Sequence, residues 1–455
     1  MEKAQHPQVP AQTQCQVHGQ VQGDGQTSPQ PQRGSVEELA VLAASDRLVK
    51  IFCDLIKHDT RSDPESTAVP STPGQLELGR LLVRDVQALG FEAKQDAHGV
   101  VMVKVPASSG CASLPGLCLL THLDTAPDAS GAGVRAALVK NYAGGVIELA
   151  GGLTLDPQVL GQAIIDLKGE DLIVTDGTTL LGADDKAGVA VLLYLLEEIA
   201  ADSAFPRPPL TVVFSVDEEL GRSGSYLDLQ EINCACGVTV DGGALGELDT
   251  ATFNAAEAQV LIRGRSVHTG TAYKIMVNAV NVAAEFISLL PASERPETTR
   301  DLEGFYHVYT LQGGVEQASL RLIVRDFEEE GLQRRLQQVQ DTAAFINHRL
   351  GFASVSVSVR PQYLNMAAVL KEHPRIVRLC RLAYEKAGVP LRECAVRGGT
   401  DGSMLSAAGL PCPNIFTGGL FCHGPSECLC LSAFRKSASV VRSLVQEAAR
   451  PEGQE

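Results

Sequence analysis

At 455 residues the chain exceeds what one ordinary hydrophobic core accommodates, so two domains, or one domain with a large insertion, are expected. Its 44% hydrophobic content is that of a globular protein, and 38 Lys and Arg against 54 Asp and Glu leave a net charge of −16, which argues against nucleic acid or an anionic membrane as the main partner. No apolar run approaches the ~20 residues of a membrane span and the N-terminus has no signal-type apolar core, so a soluble, cytoplasmic protein is expected.

Met1 to Gly34 is rich in Gln, Pro, Gly and Ser with little to bury, and the extension 1–35 is expected to be disordered. Folded sequence begins near Val36, and helical spacing is clear from Arg47 to Ile56. A second helix has Thr72 as N-cap, Pro73 at its first position, Gln75 completing a capping-box pattern and Gly90 after its last apolar turn. Short strands follow at Val100–Val105 and Leu117–Leu120, the latter running into Thr121-His122-Leu123-Asp124-Thr125. Residues two apart on an extended chain point the same way, so the Asp124 carboxylate can lie beside the His122 ring. That suits a metal-binding imidazole held by a supporting acid, with an ordinary polar turn as the plain alternative.

Leu180 to Gly188 places the doubled acid Asp184-Asp185 before an apolar helix, Val189–Ile199. Acids there suit the helix dipole, but a doubled Asp is more than a cap requires. The strand Leu210–Val216 then delivers Glu218-Glu219. Two adjacent carboxylates repel unless a cation is shared or one holds a proton. A divalent metal answers both needs, since one carboxylate can coordinate it while the other takes a proton from the attacking water. The strand Val238–Val240 ends in Asp241, and the alternation of strand, acid and helix describes an α/β sheet with its site at the strands' carboxyl ends.

From Phe253 the character changes. An alternating segment Gln259–Arg263, a loop bearing His268, a helix Met276–Leu290, strands near Tyr306–Thr310 and Leu320–Val324, a helix Phe327–Leu350 and a strand Ser354–Arg360 make a self-contained α+β unit. It is read as an inserted domain, 253–363, within a catalytic domain of 36–252 and 364–455. The fold class is α/β, a central mixed sheet flanked by helices and carrying this insertion. After it come the helix His373–Ala387, the loop Arg397–Gly402, and Gly418–Gly424, where His423 sits among glycines that let backbone approach a ligand closely. The 12 cysteines are read as mostly reduced and buried, the pairs Cys234/Cys236 and Cys428/Cys430 being too tightly spaced for the usual zinc knuckle.

The strings THLDTAPD, LLGADDKAG, VDEELG, TVDGGALGELDTATFNAA, HTGTAYKIMVNAV, EGFYH, IVRDF, RGGTDG and GLPCPNIFTGG…HG, in this order from Arg47 to Val445, closely resemble the peptidase T family of tripeptide aminopeptidases. That family belongs to the wider di-zinc exopeptidases, which include carboxypeptidase G2-like enzymes. The resemblance implies that His122 and Asp241 hold one zinc, Glu219 and His423 the other, and Asp184 both, through a residue whose bond to Asp185 is cis. It implies Asp124 as the acid fixing the His122 ring, Glu218 as general base, and His268 as the oxyanion contact, reaching across from the partner chain in dimeric relatives. The insertion becomes a lid or dimerisation-type domain, and a homodimer is compatible with it. Two Zn²⁺ per chain are implied, with cobalt or manganese as substitutes.

The terminal carboxylate of a short peptide calls for a fixed guanidinium, for which Arg325 and Arg397 are candidates, with structural ion pairs to Asp326 and Asp401 as the alternative. Asn278 and Asn254 are further polar candidates, helix or turn duty being their alternative. The chain departs from the family in its extension and in the segment 419–427, where Cys422 stands beside His423. The function read from all this is removal of the N-terminal residue from tripeptides. A carboxypeptidase or N-acyl amino acid deacylase of the same family, or a catalytically silent peptide-binding protein, are the alternatives.

Overall fold

A computed structural model of the chain describes residues 30–451. The expected disorder of the extension falls outside these residues for 1–29 and is corrected for 30–35. Gln32 bridges to Ile147 and Ser35 to Leu138, while Arg33 pairs with Glu148 at 2.7 Å. A polar segment orders where its backbone groups find partners on an existing edge.

The main sheet has eight strands, in the order Glu92–Gln95, Val101–Val105, Leu210–Ser215, Leu117–His122, Cys236–Gly242, Asn414–Phe416, Glu247–Thr252 and Arg392–Val396. Leu117–His122 lies between two parallel partners, Leu117 opposing Leu210 on one side and Cys236 on the other. Every residue of Leu117–His122 and of Leu210–Ser215 is buried, as a continuous apolar run in a helix-covered sheet requires. The helices Arg47–Leu55, Ala183–Ala201, Pro374–Lys386 and Leu431–Ala448 contribute Phe52, Leu192, Leu379 and Phe434 to the same core. Because the three central strands run in one direction, His122, the two glutamates and Asp241 all emerge at one edge.

A smaller sheet, in the order Gly419–Leu420, Cys428–Cys430, Leu172–Val174 and Ala137–Val139, brings the loop of His423 beside the segment that leads into Asp184. The sequence reading assigned no element between 126 and 179. Strands of two or three residues are too short to display a period.

The inserted segment forms its own antiparallel sheet, in the order Phe305–Gly313, Gln317–Asp326, Asn254–Arg263 and Val355–Tyr363. Along Gln317–Asp326 burial alternates, and the inward residues pack on the helices Ala279–Leu289 and Glu329–Leu350 through Phe286, Leu336 and Val339. That core is separate from the main one. Where the two meet, Phe253, Phe305 and Phe327 form a third cluster, with the Phe253 and Phe327 rings 4.1 Å apart.

Two local expectations are corrected. The helix placed from Met276 begins at Ala279, because the Asn278 side chain accepts the Val280 N–H at 2.9 Å and ends the preceding loop as an N-cap. Thr72 makes no side-chain cap bond; the Gln75 amide is buried and donates to Asp217 at 2.8 Å instead of closing a capping box. A distant buried carboxylate outcompetes the local backbone for that amide.

Candidate active site

Two histidines face one aspartate. His122 Nε2 lies 3.0 Å from Asp184 Oδ1 and 3.5 Å from Asp241 Oδ1, while His423 Nε2 lies 3.3 Å from Asp184 Oδ2 and 3.2 Å from Glu219 Oε2. Asp184 thus presents one oxygen to each histidine. The peptide bond Asp184-Asp185 is cis. His122 is fully buried at a strand's end, whereas His423 stands on a loop with half its side chain exposed.

Around these donors lies a shell of buried acids. The Asp124 carboxylate accepts the Glu218 N–H at 3.0 Å and the Glu219 N–H at 3.1 Å, so it fixes the single turn that carries both glutamates. The nearer contact to His122 Nδ1 is the Asp124 backbone carbonyl at 3.0 Å, its carboxylate standing at 3.5 Å. Asp217, at φ 55°, starts the turn and is itself held by Ser71 N–H at 2.8 Å and by Gln75. The sequence reading did not give four members of this shell the contacts they make. Asp185 accepts from Thr121 Oγ, His122 N–H and Gly188 N–H, Asp401 accepts from Ser215 Oγ at 2.5 Å and from Ser223 Oγ, Asp217 accepts from Ser71 and Gln75, and Glu427 binds the backbone before Asp184. Only the doubled acid Asp184-Asp185 carried a visible signal.

Burial dominates the electrostatics. It pushes the Glu219 carboxyl up to about 11, with the Asp184 charge adding to the effect, and lifts Glu218 well above the usual range despite His122. Burial also raises Asp241 to about 6. Against burial, the Asp241 charge and the contacts with Asp124 and Asp184 hold the His122 imidazolium well above its ordinary range. Asp184 is held low, since its contacts with His122 and His423 outweigh burial. Burial, with the Asp184 charge adding to it, pushes the half-buried Cys422 thiol far up, and it stays a neutral thiol.

This donor set fits a pair of divalent cations. His122, Asp184 and Glu219 offer donor atoms within 4.8 Å of one another, as do His122, Asp185 and Asp241. Glu219 Oε1 is buried with no hydrogen-bond donor, an arrangement costly for a carboxylate unless a cation supplies the missing charge. Imidazole and carboxylate with one shared carboxylate are the ligands that borderline and hard divalent ions take.

The remaining sequence candidates stand elsewhere. His268 lies in an exposed turn of the insertion, its ring accepting the Gly270 N–H at 3.1 Å. Arg397 donates to the carbonyls of Asp301 at 2.7 Å and Glu303 at 3.0 Å and to Thr299 Oγ, and it stacks on Phe253 and Phe305. It clamps the insertion to the catalytic domain. Arg325 donates to the Arg397 carbonyl at 3.0 Å and lies over the Phe305 and Tyr363 rings, with its Nε unpaired. The ion pairs weighed for these two arginines are corrected: Asp326 pairs with Arg335, and Asp401 with the two serines. Asn278 caps a helix, and Asn254 bonds the carbonyls of Asp326 and Phe327.

A mixed α/β sheet that gathers such donors around a shared aspartate defines the class of protein, a metal-dependent hydrolase. Residues 176–447 match Peptidase family M20/M25/M40. Peptidase T of Geobacillus thermodenitrificans is 40% identical over 402 residues, covering 88% of this chain and 97% of that protein, and Peptidase T of Vibrio atlanticus is 38% identical over 406 residues, covering 89% and 98%. Among solved structures, the aminopeptidase PepT from Bacillus cereus superposes with a TM-score of 0.70 at 22% identity, covering 89% of this chain and 98% of that one. The Bacillus subtilis YXEP protein, described as a dinuclear metal-binding peptidase from the M20 family, superposes with a TM-score of 0.59 at 13% identity, covering 90% and 98%. The chain belongs to peptidase family M20/M25/M40.

Proposed function

We propose that the protein is a cytoplasmic aminopeptidase that removes the N-terminal residue from tripeptides, with two divalent metal ions at the centre built on Asp184. The observation that carries the reading is the pair of donor groups, His122 with Asp241 and Glu219 with His423, that share the two oxygens of Asp184. The 40% identity to a Peptidase T over nearly its whole length supports the substrate class.

When bound, the ions, Zn²⁺ with Co²⁺ or Mn²⁺ as substitutes, polarise the scissile carbonyl and make water a stronger acid. His122 and Asp241 would hold one, Glu219 and His423 the other, and Asp184 both. Glu218 is the general base. Its turn is pinned by Asp124, which leaves its carboxylate free to take the attacking water's proton and pass it to the leaving amine. Its buried surroundings raise its proton affinity above that of an ordinary carboxylate. His268 donates to the developing oxyanion. Its exposed loop suits a homodimer in which each chain lends this histidine to the other. Arg325, with an unpaired Nε, anchors the peptide's terminal carboxylate.

The test is hydrolysis of a free tripeptide, its N-acetylated form, and the corresponding di- and tetrapeptides, before and after chelation. Cleavage of the free tripeptide alone, lost with the metal and regained with Zn²⁺, is the expected result. Activity that survives thorough metal removal would overturn the metal reading, and preferred turnover of the acetylated peptide would overturn the aminopeptidase reading in favour of a deacylase or carboxypeptidase.

A further inference from the structure

Glu427 is 1% exposed and belongs to none of the donor groups around Asp184, yet its carboxylate is fully engaged. Oε2 accepts the N–H groups of Leu181 and Gly182, both at 2.7 Å, and Oε1 accepts the N–H of Asp184 at 3.0 Å. These amides belong to the segment 181–184, ahead of the kink at which Asp184 and Asp185 depart from helical backbone angles and before the regular helix that runs to Ala201. A carboxylate from 243 residues away therefore fixes the stretch of backbone that presents Asp184. Glu427 also sits four residues after His423 on one loop, closed by its N–H to the Gly424 carbonyl at 3.1 Å.

We propose that Glu427 is a positioning residue that sets the separation of Asp184 and His423, and so governs affinity for the second of the two cations, the one on the His423 and Glu219 side. The inference rests on the two-metal reading given above. The two halves of the centre differ in what holds them. His122 and Asp241 are carried by neighbouring strands of the central sheet and are fixed by its ladder. On the other side, two of the three donors, Asp184 and His423, come from segments that Glu427 joins, and His423 is half exposed, so packing alone does not fix it. Supporting groups of this kind change metal affinity ten- to a hundredfold when removed. Glu427→Gln keeps the shape but places an NH2 against backbone N–H groups, so at least one of the three bonds is lost.

The experiment is titration of the metal-free protein with Co²⁺, followed by heat and by the visible spectrum, alongside thermal unfolding of the metal-free chain. Wild type should take up two equivalents. In Glu427→Gln the first should bind as in wild type and the second ten- to a hundredfold more weakly, with tripeptide turnover restored by excess metal. Should that variant fail to fold, Glu427→Asp, which keeps the charge but cannot span all three amides, carries the same expectation. Two equivalents bound at wild-type affinity would overturn the inference alone, as would equal weakening of both, which is the signature of a general structural role. Failure of wild type to bind a second equivalent would overturn the two-metal reading, and this inference with it.

Discussion

Replacing Glu218 by Gln separates proton transfer from everything else at the centre. The backbone N–H that pins residue 218 to Asp124 at 3.0 Å is unaffected, and the groups able to hold a cation include Glu219 but not Glu218. The variant should therefore keep its fold and its metal. A positioned general base contributes about 10²- to 10⁴-fold, so kcat should fall by that factor, equivalent to roughly 3–5 kcal/mol on the transition state, with KM little changed. Stability should move the other way. Burial holds the Glu218 proton above the usual carboxylate range, so as pH rises past the ordinary glutamate value of ~4.3 the unfolded chain releases a proton that the folded metal-free chain retains, and wild-type stability falls. The Gln variant lacks that loss, and at pH 8 its metal-free form should unfold at higher urea than wild type. Steady-state kinetics on a tripeptide, metal content and urea unfolding decide the matter. Wild-type turnover would move the base elsewhere, and loss of metal together with turnover would make Glu218 a ligand.

Two further outcomes follow from the packing around the centre. A Cβ at Gly188 would stand 2.0 Å from the Val240 carbonyl and 2.5 Å from Asp185 Oδ1, so Gly188→Ala must push the helix from the strand that carries Asp241. It should cost about 3 kcal/mol or more of unfolding free energy and lower activity, and a wild-type urea midpoint would refute the close approach. Asp249, buried, has its carboxyl raised to about 7 by burial with help from the Glu247 charge. Between pH ~4 and about 7 the folded chain holds a proton that the unfolded chain has lost, so this residue removes stability as pH rises through that window. Asp249→Asn should gain roughly 3–4 kcal/mol over wild type at pH 8 relative to pH 4, and a pH-independent difference would contradict the burial argument.

What the amino-acid sequence by itself determined was the fold class, the strands that end in acids, and the family. Each of those signals is local: an apolar run, a doubled carboxylate, a histidine among glycines, nine strings in order. Helix starts were legible to within a few residues, and where they moved, as at Asn278, a single cap bond was the cause. The tertiary structure alone decided which polar side chains serve one another across the chain. Gln75 was read as a capping residue and turns out to hold Asp217, 142 positions on; Arg397 was weighed as an anchor against a structural ion pair, and it donates to the carbonyls of Asp301 and Glu303; Glu427 carried no signal and binds the backbone that presents Asp184. A buried polar group must find its partner wherever the fold places one, and spacing along the chain cannot encode a meeting that only packing brings about.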